Sequence, residues 1–113
     1  MRLKSEIWIQ AYLRRCQIAN IPVMLVRRGD RDAGAIFIKV CILDGRVRLL
    51  APAPAGLDQA DSERRWNVCF GGEAVMEQEA DLTIMRHAEF DPDLWVIEVE
   101  DRHGRHFLDD WLA

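Results

Sequence analysis

The sequence predicts a single α+β domain with a mainly antiparallel sheet of about five strands and two main helices. Three observations lead there. Segments of period two and segments of period 3.6 both occur within 113 residues. The strands come in a run rather than in strict alternation with helices, which favours α+β with the helices on one face. Half the residues are apolar and 30% are charged, a globular composition, and the length is that of one domain spanning residues 1–113.

The predicted order is α-β-β-β-β-α-β with a short helical turn after it. Residues 3–20 hold good helix formers and no Gly or Pro before Pro22. Glu6, Gln10, Arg14 and Gln17 fall on one narrow polar face, and apolar residues cover most of the rest. Pro22 ends this helix and leads into a strand over 23–28. Gly29-Asp-Arg-Asp-Ala-Gly34 is a polar segment with Gly at both ends, read as a hairpin turn. Residues 35–43 are apolar on both faces and β-branched on one, which predicts a central strand. Asp44-Gly45 is a strong hairpin signal, and 46–51 returns as a strand. Pro52 to Asp61 is a loop by its Pro and Gly content. A fourth strand is expected over 64–70, where Trp66, Val68 and Phe70 alternate. Residues 73–90 read as the second helix, with Met76, Ala80, Ile84 and Ala88 on one face and acidic residues in its first turns. Asp91-Pro92-Asp93 stops it. Residues 94–100 form the last strand, with Trp95, Ile97 and Val99 inward and Glu98 and Glu100 outward. A turn around Gly104 precedes the terminal helical turn over 106–112.

Charge is unevenly spread. Residues 1–56 carry ten Lys or Arg against four Asp or Glu, and residues 57–113 carry five against fifteen. The net charge is −4, whereas a nucleic-acid domain is usually basic. Mutual neutralisation of the halves is therefore the favoured expectation, over a basic face for an anionic partner. No stretch approaches the ~18 apolar residues of a membrane span. Charged and polar residues interrupt the N-terminal segment too often for a signal peptide. Cys16, Cys41 and Cys69 are dispersed and odd in number, which argues against a disulfide framework and predicts packed thiols in the cytoplasm. Cys16 is the expected exception, because Arg14 and Arg15 would lower its pKa.

Candidate chemistry is sparse. Gly29 to Gly34 has phosphate-loop spacing, but Ala35 and Ile36 stand where Lys and Ser or Thr belong. Asp93, Glu98 and Glu100 are weak candidates for a Mg²⁺ site, since the Lys of a metal-dependent nuclease pattern is missing. His103 and His106 have HxxH spacing and would need His87 or Asp109 to complete a zinc site. Neither serine, Ser5 or Ser62, stands in a nucleophile motif. No catalytic residue and no cofactor is assigned. Arg27, Arg28, Arg31, Arg46 and Arg48, with Lys39 nearby, are expected to converge on neighbouring hairpin strands as an anion-binding face. Phe37 is the only aromatic there for stacking.

The segments RLKSEIWIQAYLRRC, VRRGDRDAGAIFIKV and FDPDLWVIEVEDRHGRHFL resemble the alphaproteobacterial domain-of-unknown-function family numbered 1491. The resemblance runs nearly end to end, apart from 53–63. It implies no activity. It does imply that Arg28, Gly29, Asp30, Asp32, Ala33 and Gly34, together with Asp91-Pro92-Asp93-Leu94-Trp95, are hallmarks. The leading functional expectation is a non-enzymatic interaction module acting as a homodimer. Helix 1 offers about twice the ~100° stripe that one sheet needs, and Trp8, Ile9, Tyr12 and Leu13 are its predicted interface. The alternatives are binding of an anionic partner such as nucleic acid through the five arginines, and metal-assisted hydrolysis.

Overall fold

The computed structural model describes residues 3–54 and 64–113. The chain is α+β, with helices α1 (Ser5–Ile18) and α2 (Glu77–Phe90). The strands are β1 (Val23–Arg27), β2 (Ile36–Cys41), β3 (Arg46–Pro52), β4 (Trp66–Val68), β5 (Val75–Met76) and β6 (Trp95–Glu100). Two short 3₁₀ turns cover Phe70–Gly72 and Asp109–Trp111.

The sheet runs β1-β6-β2-β3-β4, with β5 beside the start of β3. It is mixed, because β6 pairs parallel to β2 and antiparallel to β1. Both faces are covered. Ile36, Ile38, Val40, Trp95, Ile97 and Val99 point to α1 and meet Ile9, Tyr12 and Cys16. Phe37, Val47, Leu49 and Val96 point to α2 and meet Ala80 and Ile84. The helices thus lie on opposite faces rather than on one. The physical reason is in β2 and β6, whose alternate residues are apolar on both sides and need a cover on each.

The segment Gly29–Gly34 is not a hairpin turn, since β6 is inserted between β1 and β2. It arches over the entry to β6 and holds it. The Asp30 amide donates to Asp93 O at 2.8 Å, and Trp95 Nε1 donates to Asp30 O at 2.7 Å. A Cβ on Gly29 or Gly34 would overlap the Asp93 carbonyl, so glycine here serves close approach of two backbones. The Asp30 carboxylate closes the arch by accepting the Asp32 and Ala33 amides. The same arch caps α1, whose N-cap residue, Lys4, makes no side-chain capping hydrogen bond. The Ser5 and Glu6 amides donate to Asp32 O and Arg31 O, and Ser5 Oγ donates to Gly34 O at 2.6 Å. The segments Gly29–Gly34 and Asp93–Trp95 are therefore one packed unit tying α1, β1 and β6 together.

At the other end of α1 the Asn20 amide reaches Gln17 O and the Ile21 amide reaches Cys16 O, with Asn20 at φ 59°. That is a Schellman ending, and Pro22 follows it. The Asp44-Gly45 hairpin forms as expected, and Asp44 accepts the Arg46 amide at 3.0 Å. Helix α2 begins at Glu77 rather than at residue 73, because Val75 and Met76 first pair with β3.

Candidate functional site

A groove opens on the α1 face of the sheet. Trp8, Ala11, Tyr12 and Arg15 sit at i, i+3, i+4 and i+7 and so share one side of α1. Ser5, Ile9, Tyr12 and Cys16 form the adjoining buried stripe, and Tyr12 belongs to both. Trp66 on β4 supplies the floor, and the segment 106–112 supplies the far wall. That wall is tied down by its backbone. Tyr12 Oη donates to His106 O at 3.0 Å, and Leu112 lies beside Trp66 in a parallel bridge. The Ala113 amide donates to Trp66 O at 2.8 Å.

The groove encloses about 470 Å³, within the range of small-molecule sites. Its lining is mainly aromatic: Trp8, Tyr12, Trp66, Phe107 and Trp111. Trp8 stacks on Tyr12 with centroids 5.1 Å apart and lies tilted on Trp66 at 4.9 Å. Trp66 Nε1 donates to Ile36 O, which fixes that ring. Arg15 and Arg64 supply positive charge at the rim and Asp110 a single carboxylate. The Arg15 guanidinium lies over Phe107, 4.9 Å from its centroid. Burial pushes the Tyr12 phenol well above its ordinary pKa, with Cys16 adding to the effect. Tyr12 is thus a fixed neutral donor, not a proton shuttle.

The predicted interface residues do not form one outward face. Ile9 and Tyr12 are buried in the chain's own core, and Trp8 and Leu13 are half-buried against it. Much of the apolar surface of α1 faces the sheet on one side and the C-terminal segment on another, while Ile7 and Ile18 stay exposed. Cys16 is fully buried, and burial raises its thiol pKa against the weaker pull of Tyr12 and Arg15. It is a packed core thiol, not an activated one.

The five predicted anion-binding arginines are split between the two ends of the sheet. Arg27, Arg28 and Arg31 lie at the arch, where β1 ends and β2 is about to begin. Arg46 and Arg48 lie at the start of β3, beside the far end of β2. Arg27 donates to Pro92 O, Arg28 lies over the Trp95 ring, Arg31 pairs with Glu6, and Arg46 pairs with Asp44. Phe37 is buried under α2. The insertion of β6 undoes the convergence, which assumed that β1 and β2 were neighbours. Mutual neutralisation of the two halves is carried, among the ion pairs of the described residues, by Lys39 alone. Lys4, Arg31 and Arg46 pair with acids of the first half, and Arg105 with Asp101.

Lys39 is the second notable group. It lies on the α2 face with its side chain only 6% exposed. Its ammonium meets Asp81 at 2.7 Å, Glu77 at 2.9 Å and Glu98 at 3.4 Å. Burial alone would lower its pKa, but the hydrogen bonds to Asp81 and Glu77 outweigh burial and raise it. Cys41, Glu77 and Glu98 have ligand atoms within 4.8 Å of one another, yet Lys39 already supplies that cluster with a cation. Burial, with Glu98 and Glu77 near, pushes the Cys41 thiol up to about 12. Glu98 is thus committed to Lys39. Asp93 lies in the loop before β6, and Glu100 at its far end, so the three proposed metal ligands are spread along the strand. The histidines do not converge either. His87 packs on Phe37 under α2, while His106 is buried on the α1 face and its Nδ1 accepts the Leu108 amide.

Sequence reading missed the groove because its walls lie far apart in the chain. The available signal was the spacing of Trp8, Tyr12 and Arg15 together with Phe107 and Trp111 in the C-terminal segment.

The model of the family described as "Protein of unknown function (DUF1491)" matches residues 3–109. A crystal structure of a DUF1491 family protein from Caulobacter crescentus CB15 is similar with a TM-score of 0.81 at 33% identity, covering 100% of this chain and 99% of that one. An NMR structure of a DUF1491 family protein from the same organism gives 0.79 at 37% identity, covering 100% and 98%. A solution structure of a protein from A. tumefaciens gives 0.76 at 38% identity, covering 88% and 86%. No curated protein matches the chain.

Proposed function

We propose that this chain, which belongs to the DUF1491 family, is a non-enzymatic ligand-binding domain whose site is the aromatic groove between α1, β4 and the C-terminal segment. The observation that carries the reading is a groove of about 470 Å³ lined by five aromatic side chains. Aromatic lining with a few polar groups is the usual make-up of a small-molecule site. The groove's side chains favour binding over catalysis. Among the described lining residues the one carboxylate is the exposed Asp110, the phenol is tied to His106 O, and the charged groups besides Asp110 are arginines. The compartment we propose is a bacterial cytoplasm, where Cys16, Cys41 and Cys69, all free thiols, keep their reduced form. Ligand binding replaces the homodimer as the leading role, because Ile9 and Tyr12 are used inside the chain.

The test is a two-dimensional ¹⁵N NMR screen with small aromatic compounds, read at the four tryptophan indole N–H signals. Binding in the groove moves Trp8, Trp66 and Trp111 and leaves Trp95 in place, since Trp95 is held in the arch by Asp30. Compounds that move only Trp95, or none that move any of the four at millimolar concentration, would overturn the reading.

A further inference from the structure

We infer that the ligand of this groove is a small aromatic molecule carrying a negative charge, carboxylate or phosphate, and that Arg15 reads the charge. The inference rests on the ligand-binding role proposed above. The aromatic walls select a flat apolar body, because ring faces bury area without polar groups left unpaired. The volume accommodates a compound of about two fused rings with a substituent.

The sign of the charge follows from the rim. Among the described residues Arg15 and Arg64 line the groove, with one carboxylate, Asp110. Arg64 donates to Leu3 O and Ser5 Oγ, which places it at the α1 N-terminal end of the groove. Arg15 stands one turn beyond Ala11 and Tyr12, at the other end. It has no ion pair among the described residues, and its guanidinium rests on the Phe107 face. That ring orients the guanidinium and leaves its edge N–H donors for an anion. An aromatic ammonium would meet the like charge of Arg15 there.

The experiment compares four probes of one shape: 2-naphthoate, 2-naphthyl phosphate, 2-naphthalenemethanol and 2-naphthylmethylamine. Binding is followed at the indole signals of the wild type and two variants. Ala11→Trp fills the groove from the exposed side of α1, and Arg15→Gln removes the charge while keeping the stem. Thermal unfolding checks that both variants are folded. The two anions bind more tightly than the alcohol, and the amine binds most weakly. Arg15→Gln weakens the anions about tenfold or more, the loss of one charge-assisted hydrogen bond, and leaves the alcohol unchanged. Ala11→Trp abolishes all binding. The ratio of naphthoate to naphthyl phosphate assigns the anion as carboxylate or phosphate. If the amine binds as well as the anions, or Arg15→Gln weakens alcohol and anions alike, the charge inference is wrong and the groove reading stands. If no probe binds, or binding survives Ala11→Trp, both are wrong.

Discussion

Replacing Lys39 by methionine tests whether the buried ammonium holds α2 on the sheet. The substitution keeps the aliphatic stem and removes contacts to Asp81, Glu77 and Glu98 at 2.7, 2.9 and 3.4 Å. Breaking a fully buried ion pair costs about 3–5 kcal/mol. The side chains of Glu77 and Asp81 are 49% and 50% exposed, so water screens part of the interaction, and about 2–3 kcal/mol is a better figure. A chain of 113 residues unfolds with about 0.24 kcal/mol/K of entropy, so each kcal/mol moves Tm by about 4 °C. Lys39→Met should therefore lower Tm by about 8–12 °C, measured by calorimetry at neutral pH. The pKa of Lys39 is raised in the fold. Its contribution is thus fully present below the ordinary lysine value of about 10.4 and is lost as pH rises through the higher folded value. The gap between wild type and variant should stay constant from about pH 6 to 9 and close only in strong alkali. A variant as stable as the wild type, or more so, would refute the reasoning. It would mean that desolvating the ammonium costs more than three carboxylates return.

Four further outcomes are expected. Gly34→Ala drives a methyl onto Asp93 O and to 2.8 Å from Trp95 Nε1, so thermal melts should show a loss of several kcal/mol. Gly45→Ala, at φ 88° with nothing within 4 Å, should cost only about 1–2 kcal/mol. Asp101→Asn removes a carboxylate whose pKa the Arg105 hydrogen bond lowers to about 2, against a smaller opposing effect of burial. Its folded pKa is depressed, so the Tm difference from wild type should be full above about pH 4 and vanish as pH falls through about 2. Tyr12→Phe deletes the hydrogen bond to His106 O and should cost about 1 kcal/mol, with faster hydrogen exchange confined to residues after 105.

Most elements were legible because each is written in its own segment. Pro22 and the polar face of α1 bound the first helix, and Asp44-Gly45 pins the β2–β3 hairpin. The centrality of β2 followed from its two apolar faces, and it does sit between β6 and β3. Which strand lies beside which is a non-local choice, and there the reading stopped. The pointer that went unused was Val96. On a strand with one solvated face Val96 would share water with Glu98, yet it is 3% exposed beneath α2. A strand buried on both sides belongs in the middle of a sheet, and placing β6 there also puts α2 across from α1. The candidate site was less legible for the same reason. Arg15 and Phe107 meet across a long stretch of chain, and no local pattern encodes their contact. Glu98 and Lys39, adjacent on paired strands, become partners only once β6 lies against β2.

The insertion of β6 between β1 and β2 also sets the order in which the protein can come together. Two strands made early in synthesis each keep a bare edge until residues 95–100 have been made. Domains emerge at about 5–20 residues per second, so the nascent chain spends several seconds with β1 and the β2–β3 hairpin unable to join. Parallel pairing of β6 with β2 also closes a long loop, which slows folding. The last strand is thus the keystone of assembly. A ribosome that stalls before it releases a chain with two open, apolar strand edges, the form most prone to aggregate and most in need of a chaperone.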